Sequence, residues 1–106
     1  RDYIHVTDLA RAHVLALQLM EKNAATCIAM NLGTGKGYSI QEVIAAAEAV
    51  TGKKVPHRYA DRREGDPPAL VADPAEALRR LSWKAEYADL TTIIAHAWNF
   101  HRRCFG

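Results

Sequence analysis

Arginines beside a carboxylate in a proline-bounded loop can hold a nucleotide, and the stretch Arg62-Arg63-Glu64-Gly65-Asp66-Pro67 has that pattern. A guanidinium grips a diphosphate through two parallel hydrogen bonds, while a carboxylate two or three residues away can accept from a pair of ribose hydroxyls. Arg1, at the mouth of the first β-prone run, is a further candidate for the same anion. The competing reading of the loop is a solvated surface segment of self-paired Arg and Asp, because exposed ion pairs are common and contribute little.

The other chemistry-bearing residues do not assemble into a recognisable centre. In Gly33-Thr34-Gly35-Lys36-Gly37 the lysine is followed by Gly37 rather than Ser or Thr, so the phosphate-loop pattern fails. Tyr38 stands where a dinucleotide fingerprint needs its third glycine. A turn between strand and helix is the plainer reading. Tyr3, Tyr38, Tyr59 and Tyr87 lead, four residues on, to Thr7, Glu42, Arg63 and Thr91, so no Tyr-x-x-x-Lys pair exists. His5, His13, His57, His96 and His101 fit neither a Ser/His/Asp nor an HExxH arrangement. Cys27 and Cys104 form no CxxC pair and have no histidine at ligand spacing. The sequence therefore predicts no catalytic residue, no cofactor-binding residue and no metal ligand of its own.

The candidate loop needs elements to position it. Tyr3-Ile4-His5-Val6 reads as a short strand, with Thr7-Asp8 as candidate caps of a helix of about four turns carrying Leu9, Ala12, Leu15, Ala16, Leu19 and Met20. Residues 27–32, Cys-Ile-Ala-Met-Asn-Leu, have almost no polar alternation, the pattern of a strand covered on both faces. Ser39 and Glu42 form a capping box for a helix that Thr51-Gly52 closes. Residues 55–60 read as a short strand, with Pro56 pointing to an edge position. Asp73-Pro74-Ala75-Glu76 starts a short helix, Trp83 is expected beneath its end, and Asp89 caps a last helix with Leu90, Ile93, Ile94, Ala97, Trp98 and His101 on one face.

Composition limits the rest. At 106 residues, with 49% hydrophobic and 25% charged residues, the chain has the make-up of packed globular structure. A net charge of +2 is too mild for a nucleic-acid footprint, so no nucleic-acid partner is expected. No apolar run approaches a membrane span of about 18 residues, and the first residues lack a signal-peptide core. No membrane partner is expected, and the two unpaired thiols fit a reducing, cytoplasmic setting. The sequence opens on Arg1 directly into a strand-like run, as expected of a numbering that begins inside a longer product.

Four separated blocks then carry a resemblance. They are Arg1-Asp2-Tyr3-Ile4-His5-Val6-Thr7-Asp8-Leu9-Ala10-Arg11-Ala12-His13, Asn31-Leu32-Gly33-Thr34-Gly35-Lys36-Gly37-Tyr38-Ser39, Arg62-Arg63-Glu64-Gly65-Asp66-Pro67-Pro68-Ala69 and Ala72-Asp73-Pro74. In order and spacing they closely resemble the C-terminal third of the UDP-glucose 4-epimerases, which are extended short-chain dehydrogenases/reductases of the NAD-dependent epimerase/dehydratase family. Individual blocks also occur in related nucleotide-sugar epimerases and dehydratases.

The resemblance implies an α/β fold in which residues 1–106 are a single fragment, the UDP-sugar-binding C-terminal region, with the Rossmann core missing. It implies that NAD and the catalytic Tyr-x-x-x-Lys belong to an upstream part, so that the fragment alone is inactive, or is a non-catalytic binding module. It makes Arg1 and Arg63 the diphosphate ligands of a UDP-sugar substrate, Asp66 a ribose contact, and Leu70 the position near the hexose that is bulky in some members and small in others. The usual Tyr before Asn31-Leu32-Gly33 is Met30 in this sequence. Because the family neighbours of the 27–32 strand lie upstream, that strand or the first helix is expected to pair with another copy, giving a homo-oligomer.

Overall fold

A computed structural model describes residues 1–24 and 27–106. Its helices are α1 (Val6–Lys22), α2 (Ile40–Thr51), α3 (Ala75–Leu81) and α4 (Leu90–Phe105). Among the described residues α1 packs on α3 and α2 on α4.

Local chemistry explains each helix start. Ser39 and Glu42 make the expected capping box, and Gly52 ends α2 in the left-handed region at φ 67°. Asp89 accepts from the Thr92 N–H and caps α4. Asp73 Oδ1 accepts from the Ala75 N–H at 3.0 Å, so α3 begins at Ala75, with Pro74 as its cap residue. The first helix departs from expectation. His5, not Thr7 or Asp8, is its cap: Nδ1 accepts from the Thr7 N–H at 3.0 Å, and Nε2 lies 3.0 Å from His96 Nδ1 on α4. Asp8 is occupied elsewhere, since its carboxylate accepts from the main chain of Glu86 and Tyr87.

The core sits between α1 and α3. Ala12, Ala77, Leu81 and Trp83 are buried, with Ile4, Leu15, Leu19, Met30 and Leu32 packed around them. Trp83 lies beneath the end of α3 as expected, and Ser82 makes that possible by adopting φ 50° at the helix C-cap.

The strands expected at 3–6, 27–32 and 55–60 do not form among the described residues. A strand exists only through a ladder with a neighbour, and the partners found are isolated. Arg1 and Tyr38 exchange two main-chain hydrogen bonds, of 2.7 and 2.8 Å, and the Asp2 N–H donates to Leu70 O at 3.1 Å. Val6 has entered α1, and the Val55 N–H donates to the Glu48 carboxylate. The run at 27–32 is not covered on both faces either: Ile28, Met30 and Leu32 are half-buried, with Met30 and Leu32 against the core, while Cys27, Ala29 and Asn31 are exposed. With no strand there, the strand edge is withdrawn as a route to self-association.

The arrangement is open. The radius of gyration is 16.7 Å, against about 13 Å for a compact domain of about 100 residues. Val14, Leu17 and Met20, at three-residue intervals along α1, are all about half exposed. No described helix is long and apolar enough to cross a membrane.

Candidate functional site

The loop between α2 and α3 cannot be helical, because Pro67 and Pro68 follow one another. It instead makes a reverse turn, in which the Asp66 N–H donates to Arg63 O at 3.3 Å and Gly65 takes φ 75°. The turn brings the side chains of residues 63 and 66 together. Arg63 Nη2 lies 3.3 Å from Asp66 Oδ2, and Arg1 Nη2 lies 2.6 Å from Asp66 Oδ1. Arg1 Nη1 also donates to Pro67 O at 3.2 Å. Each oxygen of one carboxylate thus faces one guanidinium. The Asp66 and Arg1 side chains are 31% exposed and that of Arg63 is 85% exposed, so the cluster is open to solvent on the Arg63 side.

Three of the four sequence-predicted site residues therefore meet within hydrogen-bonding distance. The fourth, Leu70, is not brought into that cluster: its carbonyl accepts from the N–H of Asp2, the residue after Arg1, and its side chain is exposed.

Sequence reasoning missed the residues behind Arg1. The Asp2 carboxylate accepts from the Thr34 N–H at 3.0 Å, from the Thr34 hydroxyl at 2.8 Å and from the Gly35 N–H at 3.0 Å. Burial pushes the Asp2 carboxyl up, but the N–H groups of Thr34, Gly35 and Ala72 and the Thr34 hydroxyl outweigh it, holding the group below the ordinary aspartate range. A Cβ on Gly33 would stand 2.5 Å from Asp2 Oδ2 and 2.7 Å from the Ala72 Cβ, so only glycine fits. Lys36 Nζ lies over the Tyr38 ring, 5.1 Å from its centroid, next to the main chain that Tyr38 shares with Arg1. The signal for Asp2 was an aspartate following the candidate arginine, with a glycine-rich turn elsewhere whose N–H groups needed an acceptor.

That turn also bears on NAD. The N–H groups of Thr34 and Gly35, the donors a dinucleotide pyrophosphate would need, are already taken by Asp2. This turn therefore does not offer those two donors to a pyrophosphate. No cluster of three or more His, Cys, Asp or Glu that could hold a metal occurs among the described residues. A cleft of about 840 Å³ lies away from Arg1 and Arg63 and is walled by Ile4, Ile93, Ala97, Trp98 and Phe105.

No protein-family model matches the chain. The chain is 50% identical to the UDP-glucose 4-epimerase of Bacillus subtilis over 100 residues, which is 94% of this chain and 29% of that protein. It superposes with a TM-score of 0.86, at 48% identity and over 98% of its length, on 30% of the Stenotrophomonas maltophila UDP-glucose-4-epimerase solved with bound NAD and formylated UDP-arabinopyranose. With the UDP-Glc/GlcNAc 4-epimerase of Campylobacter jejuni the TM-score is 0.81 at 36% identity, over 98% of this chain and 31% of that one. The chain spans about 30% of the length of the relatives it matches. In sequence and in fold, over nearly all of its own length, it belongs to the C-terminal region of the UDP-glucose 4-epimerase family.

Proposed function

We propose that the chain is the UDP-sugar-binding part of an enzyme interconverting UDP-glucose and UDP-galactose through a 4-keto intermediate, and that NAD and the proton-transfer residues are held by residues outside these 106. The observation that carries this reading is the Asp66 carboxylate lying between the guanidiniums of Arg1 and Arg63. Two guanidiniums converging from different segments make a bidentate diphosphate grip, and an adjacent carboxylate is the acceptor a ribose diol needs. These residues bind and orient, and the chain by itself is inactive.

Leu70 sets the room available to the hexose. A leucine is shorter than an aromatic ring, which leaves space for an N-acetyl group at the sugar C2. The likeness to an epimerase described for both UDP-Glc and UDP-GlcNAc supports a dual substrate range.

In the cell the protein is cytoplasmic, in keeping with two exposed free thiols, Cys27 and Cys104. It is a homo-oligomer, with the exposed stripe of Val14, Leu17 and Met20 on α1 at the contact. Leu17→Glu should shift its mass in light scattering toward the monomer, and an unchanged mass would remove α1 from the interface.

Calorimetry tests the central reading. In the epimerase carrying this chain, Arg63→Ala should weaken UDP binding about tenfold or more, because a charge-assisted contact is worth roughly 1.5 to 3 kcal/mol. Unchanged affinity would overturn the assignment.

A further inference from the structure

We infer that Asp2 is a positioning residue for UDP-sugar binding: it locks the three segments that converge on the nucleotide site, and thereby fixes where the Arg1 guanidinium points. The inference rests on the proposal that Arg1 grips the diphosphate.

The three segments are the chain start, the 33–38 turn and the 63–70 loop, which touch one another through very few polar contacts. Arg1 reaches Asp66 and Pro67 with its side chain and Tyr38 with its main chain. All the remaining main-chain and side-chain hydrogen bonds found here among these three segments belong to Asp2. Its N–H donates to Leu70 O, and its carboxylate accepts from Thr34 and Gly35. The two ends of one residue thus hold opposite walls.

The fit around that carboxylate is tight. Gly33 leaves no room for a Cβ against Asp2 Oδ2, and the Ala72 Cβ closes the far side. Gly37 packs as closely, since a Cβ there would come 2.8 Å from Val71. The turn and the loop therefore touch through glycines, and Asp2 is the anionic group set between them. An aspartate is the residue the geometry demands. Both oxygens face donors, Thr34 N–H and hydroxyl on one side and Gly35 N–H on the other. An asparagine would turn its NH2 against one of those donors and leave it without an acceptor.

Arg1 depends on this lock because its guanidinium works at the end of a long, flexible side chain. A shift at its Cα is carried to the tip, and a bidentate grip tolerates little misplacement. Asp2 touches no phosphate oxygen in this account. It acts through the placement of its neighbour.

The test is a double-mutant cycle on UDP affinity in the epimerase carrying this chain, read by calorimetry. Asp2→Asn should weaken UDP binding on the order of tenfold. In an Arg1→Ala background the same change should alter affinity by less than about twofold, since the guanidinium it positions is gone. KM for the UDP-sugar should rise with the dissociation constant while kcat stays within about twofold. Should Asp2→Asn fail to fold, Thr34→Val, which keeps the Thr34 N–H but removes the hydroxyl that donates to Asp2 and bonds the Lys36 main chain, enters the same cycle and should weaken binding about threefold in the Arg1 background alone. If Arg1→Ala leaves UDP affinity unchanged, the diphosphate reading fails. If Arg1→Ala weakens binding but Asp2→Asn and Thr34→Val do not, that reading stands and Asp2 loses its role. An equal loss in both backgrounds would make Asp2 a general stabiliser and would equally overturn the inference.

Discussion

The indole Nε1–H of Trp83 donates to the main-chain carbonyl of Asp8 at 2.9 Å, joining the segment after α3 to the first turn of α1. The same Asp8 accepts from the N–H groups of Glu86 at 3.0 Å and Tyr87 at 2.9 Å through its carboxylate. Trp83 and Asp8 are both almost fully buried. One position on α1 thus satisfies the polar groups of a segment that has no secondary structure of its own.

Trp83 should therefore be among the costliest residues to change. Trp83→Ala is expected to destabilise by about 3 to 5 kcal/mol through loss of packing. Trp83→Phe, which keeps a ring but removes the donor, should cost about 1 to 3 kcal/mol. Urea denaturation of both variants measures the difference, and equal midpoints for Trp83→Phe and wild type would show that the indole hydrogen bond contributes nothing.

Asp8 gives the fold a dependence on acid. Burial pushes its carboxyl up, but the N–H groups of Tyr87 and Glu86 and the Arg11 guanidinium outweigh this and hold it below the ordinary aspartate range. A carboxyl with a folded pKa below its unfolded one stabilises the protein fully above the unfolded value of about 3.9, and that stability is lost as pH falls through the folded value. Asp8→Asn should thus be less stable than wild type at neutral pH, by roughly 1.5 to 3 kcal/mol, with the gap closing below about pH 4. Paired denaturation curves from pH 7 downward check it; a gap that does not change with pH would contradict the ionised form as the stabilising one.

Gly33→Ala separates crowding from backbone preference. Its Cβ would meet Asp2 Oδ2 and the Ala72 Cβ, whereas nothing lies within 4 Å of a Cβ at Gly52. Gly33→Ala should cost about 1 to 3 kcal/mol by overpacking and should also weaken UDP binding, because it displaces Asp2. Gly52→Ala should cost about 1 to 2 kcal/mol from its left-handed φ and leave UDP affinity alone. Thermal unfolding with parallel UDP titration distinguishes the two.

Leu70→Tyr tests the width of the sugar pocket. In the epimerase carrying this chain, turnover of UDP-N-acetylglucosamine should fall at least about tenfold while turnover of UDP-glucose changes little, since steric exclusion acts on the larger group. Equal losses on both sugars would remove Leu70 as the size gate.

How far the sequence could be read follows from the range of the signals. Helix caps are written within four residues, so Ser39, Glu42, Gly52 and Asp89 were legible and form as expected. The cap of α1 was not, because His5 is an uncommon N-cap and Asp8, the better-looking candidate, is drawn away by Glu86 and Tyr87, about eighty residues on. Apolar runs were read wrongly as strands, because a ladder depends on a neighbour that periodicity cannot supply, and the 27–32 run is covered on one side only, with Cys27, Ala29 and Asn31 exposed. Arg63 and Asp66 were legible as a loop motif, whereas Arg1 was placed at the mouth of a strand that does not form, and its contact with Asp66 spans 65 residues. Asp2 was not, since its partners at Thr34 and Gly35 are thirty-odd residues away and no local pattern links them.

The order of helix pairing has a consequence for how the chain must come together. First pairs with third and second with fourth, so among the described residues neighbours in sequence are not partners in space. Each contact closes a long loop, and the two loops interlock along the sequence, which places the polypeptide among slow, non-local folders despite its helical content. A break in the Arg62–Pro68 loop would leave α1 and α2 on one piece and α3 and α4 on the other, each helix parted from its mate. Neither piece would be an autonomous folding unit, and the fold would be regained only by their association.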